Sequence, residues 1–400
     1  MESDGRPHAT GSSTSAAESS GEGATGGSTG DDSTGSDDAG SGAVAQCGNG
    51  QVEGLEVCDD GNLNDGDDCT ADCEAGSAWH IIDPEFSAYQ RVAIASDDAV
   101  FVLAHRELHG GALSLQRVDA DGTHQWTRDV AVPAAWLATD LIVDTAGNAL
   151  VLANGGSQAA VVTRWNALGE VDWQWEVDSE ARRMAAASES SFYLLRQPSI
   201  GGQITVERRD HTGLFTGSRR LLWADDEFGG FYGASVVDDG YGRVVVTGRR
   251  NAPVGFVAWT DWNEPPDDPA LEFQVINHDD VLVITYAEAH PDGSVVVAAT
   301  PGWARCYHAA VEVDCWLADD APAIMDHMTI GPSGEMALAG DTGLVRYDSA
   351  GTHTGTLVPS GVDLAVVRDL AIDSNGSVLA VGRTSALEAV LVKTTWNQHE

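Results

Sequence analysis

From residue 77 onward the chain is written in short apolar runs of five to eight residues, broken by clusters of Gly, Asp, Asn and Ser. Runs of that length with turn residues between them read as β-strands. Sustained helical periods are few. Two stretches show the unit most clearly: "LIVDTAGNALVLANG" and "LAIDSNGSVLAVGR". Each holds a strand, an Asp-x-x-Gly turn, and a second strand that leaves through a small and then a polar residue. Weaker copies are "VAIASDDAVFVLAHR", "MAAASESSFYLLRQ", "SVVDDGYGRVVVTGRR", "YAEAHPDGSVVVAATPG" and "MTIGPSGEMALAGD".

Aligned on the polar residue that ends the second strand, the seven copies fall at His105, Asn154, Arg196, Arg249, Thr300, Asp341 and Arg383. Successive intervals are 49, 42, 53, 51, 41 and 42 residues. Third strands follow, as in "LSLQRVDADG" and "AVVTRWNALG", and then fourth strands, as in "HQWTRDV" and "VDWQWEV". Four strands recurring every 40 to 50 residues is the signature of a β-propeller blade. The predicted fold is therefore all-β, a seven-bladed propeller over residues 77–400. The seventh unit lacks a fourth strand, and the orphan "AWHIID" places Trp79 where Trp126 stands in "HQWTRDV". Residues 78–83 are thus expected to join the last blade and close the ring, hiding two sheet edges. Trp79, Trp126, Trp173 and Trp316 recur at one strand position and are expected to pack between blades.

Two other zones precede the repeats. Residues 1–46 are almost wholly Gly, Ser, Thr, Ala, Asp and Glu. Such a stretch cannot bury enough apolar surface to offset chain entropy, so a disordered, expanded linker is expected. Residues 47–76 carry Cys47, Cys58, Cys69 and Cys73, spaced C-x10-C-x10-C-x3-C. A segment this small needs staples. It contains no paired C-x2-C and no histidine, so two disulfides are expected rather than zinc, with three connectivities open. Disulfides imply an oxidising compartment.

The stretch "CGNGQVEGLEVCDDGNLNDGDDCTADC" resembles the four-cysteine repeat common in myxobacterial surface proteins. It matches that frame at Cys47, Gly48, Asn49, Gly50, Glu53, Glu56, Cys58, Asp59, Asp60, Gly61, Asn62, Gly66, Asp67, Cys69 and Cys73, and departs from it at Leu55 and Asp68. The resemblance covers under a tenth of the chain. It implies an exported, often surface-anchored protein with a polar tether, and it implies no catalytic activity. Asp59, Asp60, Asn62, Asp65 and Asp67 are also hard oxygen donors suited to Ca²⁺. The alternative is that these residues serve only turn geometry. Gly66 falls at the seventh loop position from Asp60, so the loop is not an EF-hand.

Charge narrows the partners. Lys+Arg number 21 against 62 Asp+Glu, a net charge of −41, and Lys393 is the one lysine. Nucleic acid and anionic membranes are disfavoured partners for such a chain. No apolar run is long enough to span a bilayer. The segment after Met1 lacks the basic and apolar regions of a signal peptide. Export signalled by the cysteines then calls for a leader upstream, with a lipid anchor as one form of it. Cys306 and Cys315 flank a predicted hairpin and are expected to form a cross-strand disulfide.

No H-E-x-x-H, G-x-S-x-G or P-loop motif occurs. In propellers the loops leaving the second strands gather around one mouth of the central channel, and that placement rests on the fold alone. Candidate binding residues there are His105, Arg106, Arg196, Arg249, Arg250, Trp303, Arg305, His327, Arg368 and Arg383. Phe228, Phe231 and Tyr232 join them in the loop "WADDEFGGFYGAS". Arginine beside an aromatic ring suits carboxylate, sulfate or sugar recognition. The expected function is a monomeric, non-enzymatic, exported or surface-tethered protein that binds a protein or polysaccharide. The alternative is an extracellular propeller enzyme, a lyase or hydrolase acting on an acidic glycan.

Overall fold

The computed structural model describes residues 79–394 apart from short loop segments, namely 107–111, 134–135, 156–158, 188–190, 198–203, 222–230, 251–253, 264–273, 279–282, 301–302, 309–310, 318–324, 341–342, 358–361 and 363. The linker at 1–46 and the cysteine-rich segment with its candidate disulfides and Ca²⁺ ligands lie outside the described residues.

Described strands form seven four-stranded antiparallel sheets, and no helix occurs among the described residues. Six sheets are consecutive in sequence. The first holds β2 (Ala88–Ile94), β3 (Val100–Arg106), β4 (Ala112–Val118) and β5 (His124–Asp129). The second holds β6 (Leu137–Val143), β7 (Ala149–Asn154), β8 (Ala160–Trp165) and β9 (Val171–Val177). The third runs β10 (Ala181–Ala186), β11 (Phe192–Arg196), β12 (Ile204–Arg209) and β13 (Phe215–Leu221). The fourth runs β14 (Phe231–Asp238), β15 (Arg243–Arg250), β16 (Gly255–Asp261) and β17 (Gln274–His278). The fifth comprises β18 (Val283–Ala289), β19 (Val295–Thr300), β20 (Trp303–His308) and β21 (Val311–Leu317). The sixth comprises β22 (Met325–Ile330), β23 (Met336–Gly340), β24 (Gly343–Tyr347) and β25 (His353–Leu357). The seventh takes β26 (Val366–Ile372), β27 (Val378–Arg383) and β28 (Ala389–Thr394) from one end of the described chain and β1 (Trp79–Asp83) from the other. Strand β1 runs antiparallel to β28, with Ile81 opposite Leu391 and Trp79 opposite Lys393.

Each sheet's first strand touches the first strand of the next sheet, and β26 touches β2, which completes the circle. The chain is a seven-bladed β-propeller.

Its core is not central. Among the described residues there are seven apolar clusters, one at each interface between neighbouring blades. Strand β3 shows why its sequence is an unbroken apolar run. Phe101 and Leu103 pack toward the second blade with Leu141 and Val151. Val100, Val102 and Ala104 pack toward the seventh with Leu379, Val381 and Leu391. A strand covered on both faces has no polar side, so period-2 alternation disappears.

Tryptophans of the fourth strands tie blades together at the rim. Trp79 donates its indole N–H to the Ala120 carbonyl at 3.1 Å, Trp126 to Ala167 at 3.0 Å, and Trp173 to His211 at 2.9 Å. In each case the acceptor lies in the turn between third and fourth strands of the next blade. The Trp79 and Trp126 rings lie against Gly122 and Gly169, where an added Cβ would sit 2.9 Å from ring carbon. These glycines also hold φ of +87° and +77°, so the turn needs glycine twice over.

The charged residues of the hairpins are mostly structural. Arg164 on β8 binds the buried Asp144 at 2.7 Å and Asp172 at 2.6 Å. At the matching places in other blades Arg117 binds Asp97 at 2.9 Å and Lys393 binds Asp373 at 2.9 Å. The single lysine also donates to the Ala120 carbonyl of the first blade at 3.2 Å and so ties the seventh blade to the first. Cys306 is buried and disulfide-bonded. The side chains of β21, Cys315 among them, lie outside the described residues.

Candidate functional site

All seven innermost strands carry the same irregularity. The pairing of first with second strand slips by one residue, between Tyr89 and Arg91, Ala138 and Asp140, Ala181 and Arg183, Gly233 and Ser235, Ile284 and Tyr286, Met325 and His327, and Val367 and Asp369. A bulge re-aims the side chain that follows it. The seven residues so presented are Arg91, Asp140, Arg183, Ser235, Tyr286, His327 and Asp369. They form one level around the channel.

Bonds at this level pass from blade to blade. Asp369 accepts the Val92 N–H at 3.0 Å, and Asp140 accepts the Met184 N–H at 2.6 Å. Arg91 donates through Nε to the Thr139 carbonyl at 3.1 Å and through Nη1 to the Arg368 carbonyl at 3.3 Å. Arg183 donates to the carbonyls of Thr139 at 2.9 Å and Ala234 at 3.3 Å, and lies 3.6 Å from Asp140. The Tyr286 hydroxyl is 3.4 Å from His327 Nδ1, which is itself 3.6 Å from an Asp369 carboxylate oxygen.

Above this level, where first strands begin and second strands end, a cavity of about 780 Å³ opens. Arg91, Arg182, Arg183 and Arg249 line it with Tyr232, Tyr286, Asn154 and Thr139, and Glu180 is the one carboxylate among the described lining residues. Arg182 pairs with Glu180 at 3.1 Å. Arg249 is exposed, its guanidinium 5.0 Å from the centre of the Tyr232 ring. No described carboxylate pairs with it. Among the described lining residues, four arginines stand against one carboxylate.

Below the mouth the channel holds three carboxyl groups with different fates. Burial pushes Glu288 up to about 8, and the nearby Asp369 and Asp140 push the same way against Arg183. At pH 7 Glu288 therefore favours its neutral form. Burial also raises Asp140, with Arg183 and Arg91 opposing. For Asp369 burial is again the largest influence and is upward. The nearby His327, the charge of Arg91 and the Val92 N–H together outweigh it, and the group titrates below its ordinary value. Carboxyl groups held apart in this way can play different acid and base roles.

Of the ten binding residues expected from sequence, Arg249 is the one found among the described residues that line the cavity. His327 and Arg368 lie beside it in the innermost layer. The Arg368 carbonyl receives Arg91, and its own Nε is buried without a partner. Arg196, at the end of β11, is consumed within its blade by Asp178, Glu207 and the Ser179 hydroxyl. Arg106 lies between Glu85 and Asp129, both at 3.6 Å, and over the Phe86 ring at 4.6 Å. His105, next to last in β3, and Arg383, at the end of β27, accept the amides of Ser87 and Ala365 on their carbonyls. Arg305, expected in a loop, stands inside β20 opposite Val297. Arg250 ends β15 and Trp303 begins β20, also in strands; their side chains lie outside the described residues, as does Phe228. Phe231 and Tyr232, expected in a loop, begin β14. These strands extend farther because an outgoing polar residue still has a backbone partner on the neighbouring strand.

The residues missed were Arg91, Arg182 and Arg183, all on innermost strands. Their signal was present: polar residues stand in one column of the repeat, "RVAI", "DLIV", "RMAA", "HMTI", "DLAI". A strand facing a channel is the one place in a blade where such a column is tolerated.

No family model matches the chain, and no curated protein does. Solved structures are similar in fold. Virginiamycin B lyase from Staphylococcus aureus aligns with a TM-score of 0.57 at 10% identity, covering 80% of this chain and 99% of that one. The WD40 propeller domain of Doa1 gives 0.54 at 9%, covering 80% and 99%. Raptor from Chaetomium thermophilum gives 0.58 at 9%, covering 77% of this chain and 28% of that one. At such identities the likeness establishes the propeller and leaves the chemistry to the residues.

Proposed function

We propose that this propeller is a binding protein that takes an acidic group of a protein or polysaccharide partner into its arginine-lined mouth. The observation that carries this is Arg249, exposed on the cavity wall beside Tyr232 with no described carboxylate to neutralise it. A guanidinium over an aromatic face is a ready partner for carboxylate or sulfate, and the ring offers a platform for a sugar. A cavity of 780 Å³ lies in the range of small-ligand pockets.

The rest of the chain fits delivery of that mouth to an exterior partner. On this proposal residues 1–46 are a tether and residues 47–76 a disulfide-stapled module that takes Ca²⁺ on its carboxylates. Residues 77–400 are a monomeric propeller, exported and held at the cell surface by a lipid anchor. Support comes from the disulfide at Cys306 and the four cysteines at 47–73. The experiment is calorimetric titration of the full chain with oligogalacturonate and with poly-glutamate. Arg249→Ala is expected to weaken binding at least tenfold while leaving the melting temperature within about 2 °C, since the residue is exposed. Unchanged binding by that variant refutes this mouth as the site.

A further inference from the structure

The Tyr286–His327–Asp369 chain spans the fifth, sixth and seventh blades, and the anion site does not use it. Tyr286 lines the same cavity as Arg182 and Arg249. Its hydroxyl is 3.4 Å from His327 Nδ1, and that nitrogen is 3.6 Å from Asp369. Asp369 is itself fixed by the Val92 N–H at 3.0 Å. Both contacts meet the same nitrogen, so with the imidazole proton on Nε2 the Nδ1 lone pair faces the phenol and can take its proton, which then lies beside the Asp369 carboxylate. No linear motif marks this arrangement, because the three residues lie on three different blades.

We infer that the mouth performs β-elimination on a uronate-containing polysaccharide, with Tyr286 as the catalytic base; this rests on the acidic-ligand site proposed above. A substrate carboxylate held by Arg182 and Arg249 has its charge neutralised, which makes the hydrogen on the adjacent carbon more acidic. Tyr286 Oη takes that proton as its own passes to His327 Nδ1. The C–H electron pair becomes a carbon–carbon double bond, and the β carbon–oxygen bond breaks with its pair on the departing oxygen. That oxygen is protonated by the Tyr286 hydroxyl, which recovers its proton from His327. Nothing is oxidised or reduced overall, no water is consumed, and no co-reactant is needed. Asp369 stabilises the transient imidazolium. Glu288, Arg91, Arg183 and Asp140 are the remaining charged or titratable groups of the channel wall around this path.

The test uses the full chain with polygalacturonate, polymannuronate and a glucuronate polymer, followed by ultraviolet absorbance of the conjugated alkene and by mass of the products. Expected is turnover on at least one polymer. Tyr286→Phe should lose at least 100-fold in kcat with an unchanged Kd, the scale of a missing general base. His327→Gln should lower kcat while leaving the Kd for the polymer unchanged, a split that loss of packing alone does not produce. Polyuronate binding with no alkene formed, or Tyr286→Phe turning over at the wild-type rate, overturns the elimination and leaves the binding site standing. Binding of poly-glutamate with no polyuronate bound also overturns it, in favour of a protein partner. Binding of neither polymer removes the anion site as well.

Discussion

Replacing Glu288 by glutamine should stabilise the protein, and only at neutral and alkaline pH. Glu288 faces the channel near Asp369 and Asp140, and its carboxyl group is pushed from an ordinary 4.5 to about 8. In the unfolded chain it ionises near its ordinary value. Between those two pH values the folded state keeps a proton that the unfolded state releases, so stability falls as pH rises. The stability is fully present below about pH 4.5 and is lost progressively up to about pH 8. At ~1.4 kcal/mol per unit the full interval corresponds to about 5 kcal/mol. The channel opens to water at its mouth, and screening reduces this to roughly 2–3 kcal/mol. Glutamine keeps the shape and the hydrogen-bond donor and never ionises. Urea unfolding followed by tryptophan fluorescence, in buffers from pH 5 to pH 9, compares the two proteins. Their stabilities should coincide near pH 5 and diverge until the variant leads by roughly 2–3 kcal/mol above pH 8. Parallel curves, or a variant less stable at pH 8, would show that Glu288 is not a desolvated acid. Comparison with the variant is essential, because the other carboxylates of a chain at −41 also titrate over this range.

The remaining predictions concern the rim, the hairpins and the closing strand. Trp126→Ala removes a buried ring from Gly169 and its bond to Ala167, and should cost about 3–5 kcal/mol by thermal or urea unfolding. Arg164→Met strands the buried Asp144 without its cation and should destabilise by about 3 kcal/mol, while Arg117→Met, whose partner Asp97 is exposed, should cost under about 1 kcal/mol. Removing residues 77–83 uncovers β28 along its length; native gels and light scattering should then show association through that edge, and a fully monomeric truncation would contradict the pairing of Ile81 with Leu391. Gly169→Val introduces a β-branched residue at φ +77° against the Trp126 ring and should destabilise more than Gly147→Val, where no atom lies within 4 Å, by a difference readable as a larger fall in melting temperature.

The sequence by itself determined the blade. Its unbroken apolar second strands, Asp-x-x-Gly turns and recurring tryptophans are local properties, fixed by what one strand buries and what one turn requires. Repetition of that local code at nearly constant spacing set the number of blades, since each unit can bury its faces only against another like it. The mouth followed other rules. The polar residues at the ends of the second strands looked equivalent in the repeat, yet Arg196 and Arg106 are paired with nearby carboxylates, and Arg249 has none among the described residues. Arg91, Arg182 and Arg183 stand within strands, and nothing in a single strand says whether it faces the rim or the channel. Only closure of the ring turns the first strand of every blade inward, and only the one-residue slip in each pairing aims Tyr286, His327 and Asp369 at one another across three blades. Those distances depend on the curvature of the whole circle, to which every interface contributes and which no single stretch of chain encodes.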